Sequence, residues 1–275
     1  MAKSVWICGA SSGLGLHTAD ALRKTAFTVV AGARSFEREE NRRDANCLPL
    51  DVTSEESVAA FVQEAKKRTG IPDVLVSCAG VLNLGACESY EDAEIRQVME
   101  TNFFGLARLL RHVLPLMREK GKGQIVVFSS INGLLGIPFE GAYTASKHAI
   151  EGYLECLRME AKPFGIQVMA VRPGDHQSGS AKYRRHGQRM TPQSPYWDAY
   201  KTGTAVIAHD EANGSDPDKL GRKVAKALRK KHLPCRLCIA KWDQHMAVIL
   251  HDILPVRLFS AFIASYYRKK TKPDQ

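Results

Sequence analysis

Ser4-Val-Trp-Ile-Cys8-Gly9-Ala-Ser-Ser-Gly13-Leu-Gly15 runs from a short apolar segment into a glycine-rich turn, and residues 16–25 continue with helical character. Residues 4–8 have the length and apolarity of a buried strand. Strand, glycine-rich turn and helix in that order present backbone N–H groups and a helix N-terminus to a pyrophosphate. Gly9, Ser11, Ser12, Gly13, Leu14 and Gly15 are therefore candidate cofactor contacts. The G-x-x-x-G-x-G spacing differs from the commoner G-x-G-x-x-G, and glycines also serve ordinary tight turns. The position of the turn directly after the first strand gives it its weight.

The same alternation continues outward from this segment. Residues 27–31, 47–52, 73–77, 124–129 and 167–171 read as five further strands. Helical segments separate them, one capped by Ser54 and running to about residue 68, another long one over about 93–118. Strands joined through helices imply right-handed crossovers and a parallel sheet covered on both faces. The expected fold is α/β: a single domain with a doubly wound parallel sheet over residues 1–240, a substrate loop at about 175–216, and a C-terminal helical extension over 241–275.

In such sheets ligands sit beyond the carboxyl ends of the strands. Several chemically specific residues follow strand ends. After the second strand, Gly32-Ala33-Arg34-Ser35 offers an arginine and no carboxylate. A carboxylate there binds the ribose 2′-hydroxyl of NAD, whereas an arginine accommodates the 2′-phosphate of NADP. Arg34 therefore points to NADPH. Asp51 and Val52 close the third strand, with Asp51 facing an adenine edge or capping its own loop. Ala79-Gly80 after the fourth strand is small enough for close approach of a flat cofactor. Ser130 ends the fifth, and Pro173-Gly174 follows the sixth. Asn102 lies inside the long helix, where it disfavours helical geometry; it implies a local kink, a buried water-holding role or a satisfied core amide.

Tyr143 and Lys147, in Gly141-Ala-Tyr-Thr-Ala-Ser-Lys147, share one helical face at i, i+4. An ammonium held near a phenol favours the phenolate and lowers the phenol's pKa, so that the tyrosine can exchange a proton with a carbonyl oxygen. Taken alone, this spacing is common on exposed helices. Its convergence on one sheet rim with the other motifs makes it informative.

Together these motifs resemble the short-chain dehydrogenase/reductase family over roughly residues 3–175. The resemblance rests on Gly9-x-x-x-Gly13-x-Gly15, Asp51, Ala79-Gly80, Asn102, Ser130, Tyr143-x-x-x-Lys147 and Pro173-Gly174 in family order. It implies a Rossmann fold and a tetrad of Asn102, Ser130, Tyr143 and Lys147. In that scheme Tyr143 donates the proton, Ser130 holds the carbonyl oxygen, Lys147 tunes Tyr143 and binds the nicotinamide ribose, and Asn102 holds a water. Two departures concern cofactor affinity: Cys8 stands where threonine is usual, and Ser77-Cys78 replaces an asparagine pair.

The leading expectation is an NADPH-dependent reductase of a hydrophobic, lipid- or steroid-like ketone or aldehyde. An NAD-dependent alcohol dehydrogenase and a non-catalytic cofactor-binding regulator are the alternatives. The chain has 275 residues, 44% of them hydrophobic, and a net charge of +10. No nucleic-acid module accompanies that charge. Seven scattered cysteines suit a reducing compartment, and Cys235-Arg-Leu-Cys238 reads as packing, with no metal expected. Met1-Ala-Lys-Ser leads straight into a strand, so no cleavable signal is expected. A cytoplasmic location and a homodimer or homotetramer are expected, the latter through the helices carrying Asn102 and Tyr143.

Beyond Gly174 the chain supplies Lys182, Arg184, Arg185 and Arg189, read as a solvated face in preference to an anion site. Residues 246–255 and 258–267 are apolar and aromatic, divided by Pro255, and a basic cluster follows at 268–272. Closure of the pocket or dimer packing is the favoured reading, with peripheral membrane contact as the alternative.

Overall fold

The computed structural model describes residues 2–268. The chain begins with β1 (Lys3–Cys8), whose residues from Ser4 onward are buried. Helix α1 (Gly13–Arg23) and β2 (Phe27–Ala33) follow. Then come β3 (Cys47–Pro49), α2 (Glu55–Thr69) and β4 (Val74–Ser77). Ser54 caps α2 by accepting a hydrogen bond from the Ser57 amide at 3.1 Å. The two-residue strand β5 (Asn83–Leu84) leads to α3 (Asp92–Met99) and α4 (Gly105–Lys120). Next are β6 (Gly123–Phe128), α5 (Gly141–Ala161) and β7 (Ile166–Pro173). A second short strand, β8 (Arg185–His186), pairs with β5. Helices α6 (Trp197–Ala212) and α7 (Pro217–Leu228), strand β9 (Arg236–Ile239), and helices α8 (Trp242–Ile253) and α9 (Val256–Tyr267) complete it.

Seven strands form one parallel sheet in the order β3-β2-β1-β4-β6-β7-β9. Its chain order reverses direction between β1 and β4, which opens a crevice at the carboxyl ends of the strands. Side chains alternate between the two faces. Trp6 and Cys8 enter a core shared with α2, α4 and α5. Val5 and Ile7 enter a second core shared with α1 and α7. Burial on both sides explains why the strands read as continuous apolar runs.

The six expected strands are present, and the third is shorter than expected, so Asp51 and Val52 lie beyond its end. The seventh strand places Arg236 opposite Ala170 and holds the half-buried Cys238, while Cys235 just before it is exposed, so only one cysteine of the C-x-x-C pair packs. All seven cysteines are free. Among the described residues, no cluster of His, Cys, Asp and Glu could hold a metal. Within the region expected as a substrate loop, residues 197–212 fold as α6, so the loop proper is shorter. Lys269, Lys270 and Lys272 of the basic cluster lie outside the described residues. Among the described residues, no helix is long and apolar enough to cross a membrane.

The kink expected at Asn102 is a π-turn over Glu100–Phe104, joining α3 to α4. A buried ion pair ties α5 to β7. Arg172 Nε and Nη2 donate to the two Glu151 carboxylate oxygens at 2.9 and 2.8 Å, with both side chains 9% exposed. Removing one partner of such a pair strands the other charge in a low dielectric, at a cost of about 3–5 kcal/mol. Glu151→Ala is expected to lower the melting temperature by roughly 10 °C in a calorimetric scan. A change under 2 °C would show the pair to be dispensable.

Candidate active site

The carboxyl ends of the strands border one cavity of about 1230 Å³. That is ample for a dinucleotide and a substrate together. Its first wall is the turn between β1 and α1. Gly9 has φ +80°, and a Cβ there would lie 2.6 Å from the Ala79 amide nitrogen. A Cβ on Gly15 would fall inside the Gly9 carbonyl. These glycines thus pull the turn against the β4 loop and aim the α1 N-terminus into the cavity, where its unpaired N–H groups favour an anion. Ser11, Ser12, Gly13 and Leu14 line the same wall.

Arg34 opens a short 3₁₀ turn (Arg34–Glu37) directly after β2 and is exposed at the cavity rim. Arg38, unnoticed in the sequence, shares this rim four residues on. Asp51 and Val52 also line the cavity. The Asp51 carboxylate accepts from the Thr53 amide at 2.9 Å and from the Thr53 hydroxyl at 2.7 Å, so it braces its own turn. Ala79, Gly80, Pro173 and Gly174 complete the cofactor side.

Ser130, Tyr143 and Lys147 meet on the opposite wall. Ser130 starts a tight turn, with its hydroxyl accepting from the Asn132 amide at 3.2 Å. It also lies beside the Tyr143 phenol, close enough to act on its proton affinity. Lys147, buried one helical turn further along α5, donates to the Phe128 carbonyl at 2.8 Å. Its Nζ stands 5.4 Å from the centre of the Tyr143 ring.

Two expectations change here. The Tyr143 phenol is not lowered: burial pushes it above its ordinary value, the nearby Glu140, Glu211 and Asp175 charges add to that, and only the neighbouring Ser130 hydroxyl opposes. Lys147 directs its ammonium to a backbone carbonyl, and burial brings its own pKa down to about 8. Tyr143 is therefore a firmly protonated acid. The second change concerns Asn102, which stands behind the cavity wall and is 1% exposed. Its Oδ1 accepts from the Val81 amide at 2.8 Å. Its Nδ2 donates to the Val81 carbonyl at 3.1 Å and to the Ser146 hydroxyl at 2.9 Å. Asn102 thus clips the loop after β4 onto α5; of the readings open at the sequence level, the local distortion and the satisfied core amide are both observed. The π-turn carries it there.

The glycine-rich turn, the rim arginine and Ser130-Tyr143-Lys147 thus share one cavity. The family model described as short chain dehydrogenase matches residues 3–189. This chain belongs to the short-chain dehydrogenase family.

Among curated relatives of this short-chain dehydrogenase is a 3-ketodihydrosphingosine reductase of Bacteroides thetaiotaomicron, 35% identical over 263 residues, covering 96% of this chain and 97% of the relative. Among solved structures, a short-chain dehydrogenase from Streptomyces avermitilis is 30% identical, with a TM-score of 0.80 and 97% of each chain covered. An actinorhodin polyketide ketoreductase with NADPH is 27% identical, with a TM-score of 0.72, covering 87% of this chain and 96% of its own. The Rossmann-type sheet and the oxidoreductase class are thereby established.

The sequence did not single out Asn132, Glu140 or Tyr267, which share the cavity wall. Glu140 is three residues before Tyr143 and Asn132 two after Ser130, so proximity to the motif was the available signal. Phe139, with φ +67°, is a non-glycine residue in the left-handed region, where strain is stored. Its carbonyl accepts from the Gly85 amide at 2.9 Å and from the Tyr90 hydroxyl at 3.2 Å, which pins the backbone that positions Glu140. The basic residues beyond Gly174 are largely committed. Arg184 pairs with Glu211, Arg185 donates to Gln97, and Arg189 lies 2.5 Å from Glu91.

Proposed function

We propose that this protein is an NADPH-dependent reductase of a hydrophobic, lipid-like ketone or aldehyde. The observation that carries this reading is the Tyr143 phenol standing beside Ser130 and Lys147 on the cavity wall. A phenol held above its ordinary value keeps its proton at neutral pH, which suits an acid that protonates a developing alkoxide. The ketoreductase names among relatives support the same direction.

The residues present fit the cofactor. The turn from Gly9 to Gly15 and the α1 N-terminus would hold the pyrophosphate, Arg34 and Arg38 the 2′-phosphate, and Lys147 the nicotinamide ribose. When bound, NADPH supplies the hydride. Ser130 orients the substrate carbonyl and stabilises charge growing on its oxygen. Tyr143 delivers a proton to that oxygen. Lys147 places positive charge beside the phenol as it becomes anionic. Asn102 is a positioning residue that holds the Val81 loop against α5.

Loss of NADPH absorbance across a panel of hydrophobic ketones and aldehydes tests the activity, and no consumption with any member would overturn it. Arg34→Ala should weaken NADPH binding about 10- to 100-fold, the worth of a charge-assisted phosphate contact. NADH binding should stay within about twofold. Equal losses for both would remove the 2′-phosphate assignment.

The C-terminal helices favour delivery of the substrate from a lipid surface. On α9, Phe259 and Ile263 pack inward on Leu135, and Tyr267 lines the cavity. The outward residues are also apolar: Val256, Leu258 and Phe262 are exposed, as are Trp242 and Ile253 on α8. A helix apolar on both faces needs a second cover. The pair therefore closes the pocket from within and rests on a membrane from without. Leu258→Glu with Phe262→Glu should reduce co-sedimentation with anionic vesicles several-fold. Unchanged recovery together with a fall from dimer to monomer would assign the face to self-association.

A further inference from the structure

The substrate side of the cavity carries charge that carbonyl reduction does not use. Glu140 is buried and Asp175 partly so, and both line the cavity close to Tyr143. Each is held by a neutral amide: Asn132 Nδ2 donates to the Glu140 carboxylate and Gln244 Nε2 to the Asp175 carboxylate. Among the described residues neither carboxylate makes an ion pair. Glu211 faces the same space, paired with Arg184. Burial and the neighbouring negative charges push Glu140 up to about 8 and Asp175 to about 7. At those values the empty site keeps a proton on Glu140; a neutral ketone would leave it there, whereas a cation bound between the carboxylates would favour both anions.

A second observation points into the same space. The Arg184 side chain is 7% exposed and lines the cavity. One of its terminal nitrogens is bonded to Glu211, while its buried Nε has no partner. Buried donors are normally satisfied. The wall therefore presents two acceptors for a cationic donor and one donor for an oxygen.

We propose that the substrate carries an ammonium group beside its carbonyl, held by Glu140 and Asp175, and an oxygen that accepts from Arg184 Nε. The class is a long-chain 2-amino ketone bearing a neighbouring hydroxyl. Glu140 precedes Tyr143 by three residues at the start of α5 and lines the same cavity, so the ammonium sits near the reacting carbon. The inference rests on the reductase reading for its carbonyl, but its charge recognition is separable from turnover.

A long-chain 2-amino-1,3-diol and its N-acetyl derivative, titrated calorimetrically into the NADPH-loaded enzyme, separate the two. A charge-assisted contact in a desolvated site predicts that the free amine binds about 10- to 100-fold more tightly than the N-acetyl compound. That ratio should contract to within about threefold in Glu140→Gln, an isosteric change that removes the charge. Equal affinity of the wild-type enzyme for amine and N-acetyl derivative overturns the proposal, whatever the variant does. Failure to reduce the corresponding 2-amino ketone, with the amine preference intact, would count against the reductase reading and leave the ammonium site standing.

Discussion

Tyr143→Phe is expected to abolish carbonyl reduction, with kcat falling by about 10³-fold or more, while the NADPH dissociation constant moves less than threefold. The removed atom is the hydroxyl that meets Ser130. The ring remains, and so does its packing. General acid catalysis of this kind is worth about 10²–10⁴-fold, and here no other acid touches the Ser130 hydroxyl that marks the carbonyl position. Glu140 is the nearest rival, since its raised pKa leaves it protonated near neutrality. Its carboxyl is engaged by Asn132, two residues beyond Ser130. Stopped-flow measurement of NADPH oxidation, beside fluorescence titration of NADPH, separates chemistry from binding. A rate within tenfold of wild type would transfer the proton-donor role to Glu140.

Lys147→Met should cost about 10²–10³-fold in kcat/KM and alter the pH profile. The ammonium is buried, hydrogen-bonded to the Phe128 carbonyl and 5.4 Å from the Tyr143 ring centre. Burial lowers its pKa to about 8, so its charge is complete below that value and lost as the pH rises through it. Wild-type rates should therefore fall on the alkaline side of about pH 8. Lys147→Met lacks that titration, so its low residual rate should be flat over the same range. An alkaline limb that survives in the variant would show that another group titrates there. The preceding turn of α5 stays intact in this substitution because Ser146, which donates to the Tyr143 carbonyl at 2.7 Å, is untouched.

The sequence made the sheet and its rim visible because both depend on short-range patterns. Apolar runs mark strands that are covered on both faces, and residues beyond Gly9, Arg34, Ala79, Ser130 and Pro173 inherit their place from the strand ends. The cofactor half of the site was legible for that reason. The direction of the Tyr143 shift was not. A four-residue spacing shows that Tyr143 and Lys147 share a face, but the ammonium's partner is Phe128, on a strand elsewhere in the chain. Of the carboxylates that raise the phenol, Glu140 is near in sequence, but Asp175 and Glu211 are brought to it only by the fold. Asn102 was rightly marked as disrupting its helix, yet its partners Val81 and Ser146 are fixed by packing and carry no local signal. The segment around Cys235 and Cys238 is strand-like in sequence and forms β9 over Arg236–Ile239, although its edge position leaves part of it exposed and breaks the apolar run.

The π-turn at Glu100–Phe104 has a consequence for how this enzyme can change over generations. A π-turn holds one residue more than the α-helical turn it interrupts, so losing a single residue there would yield a smoother helix. The bulge absorbs the extra residue locally, so the flanking helices would keep their faces, but the Asn102 side chain held within it would be redirected. The amide clip on Val81 would then face away from α5. Chain length across this turn is thereby locked to function: the deletion that would tidy the backbone is the one that would unfasten the floor of the pocket, so drift here must proceed by substitution and not by loss.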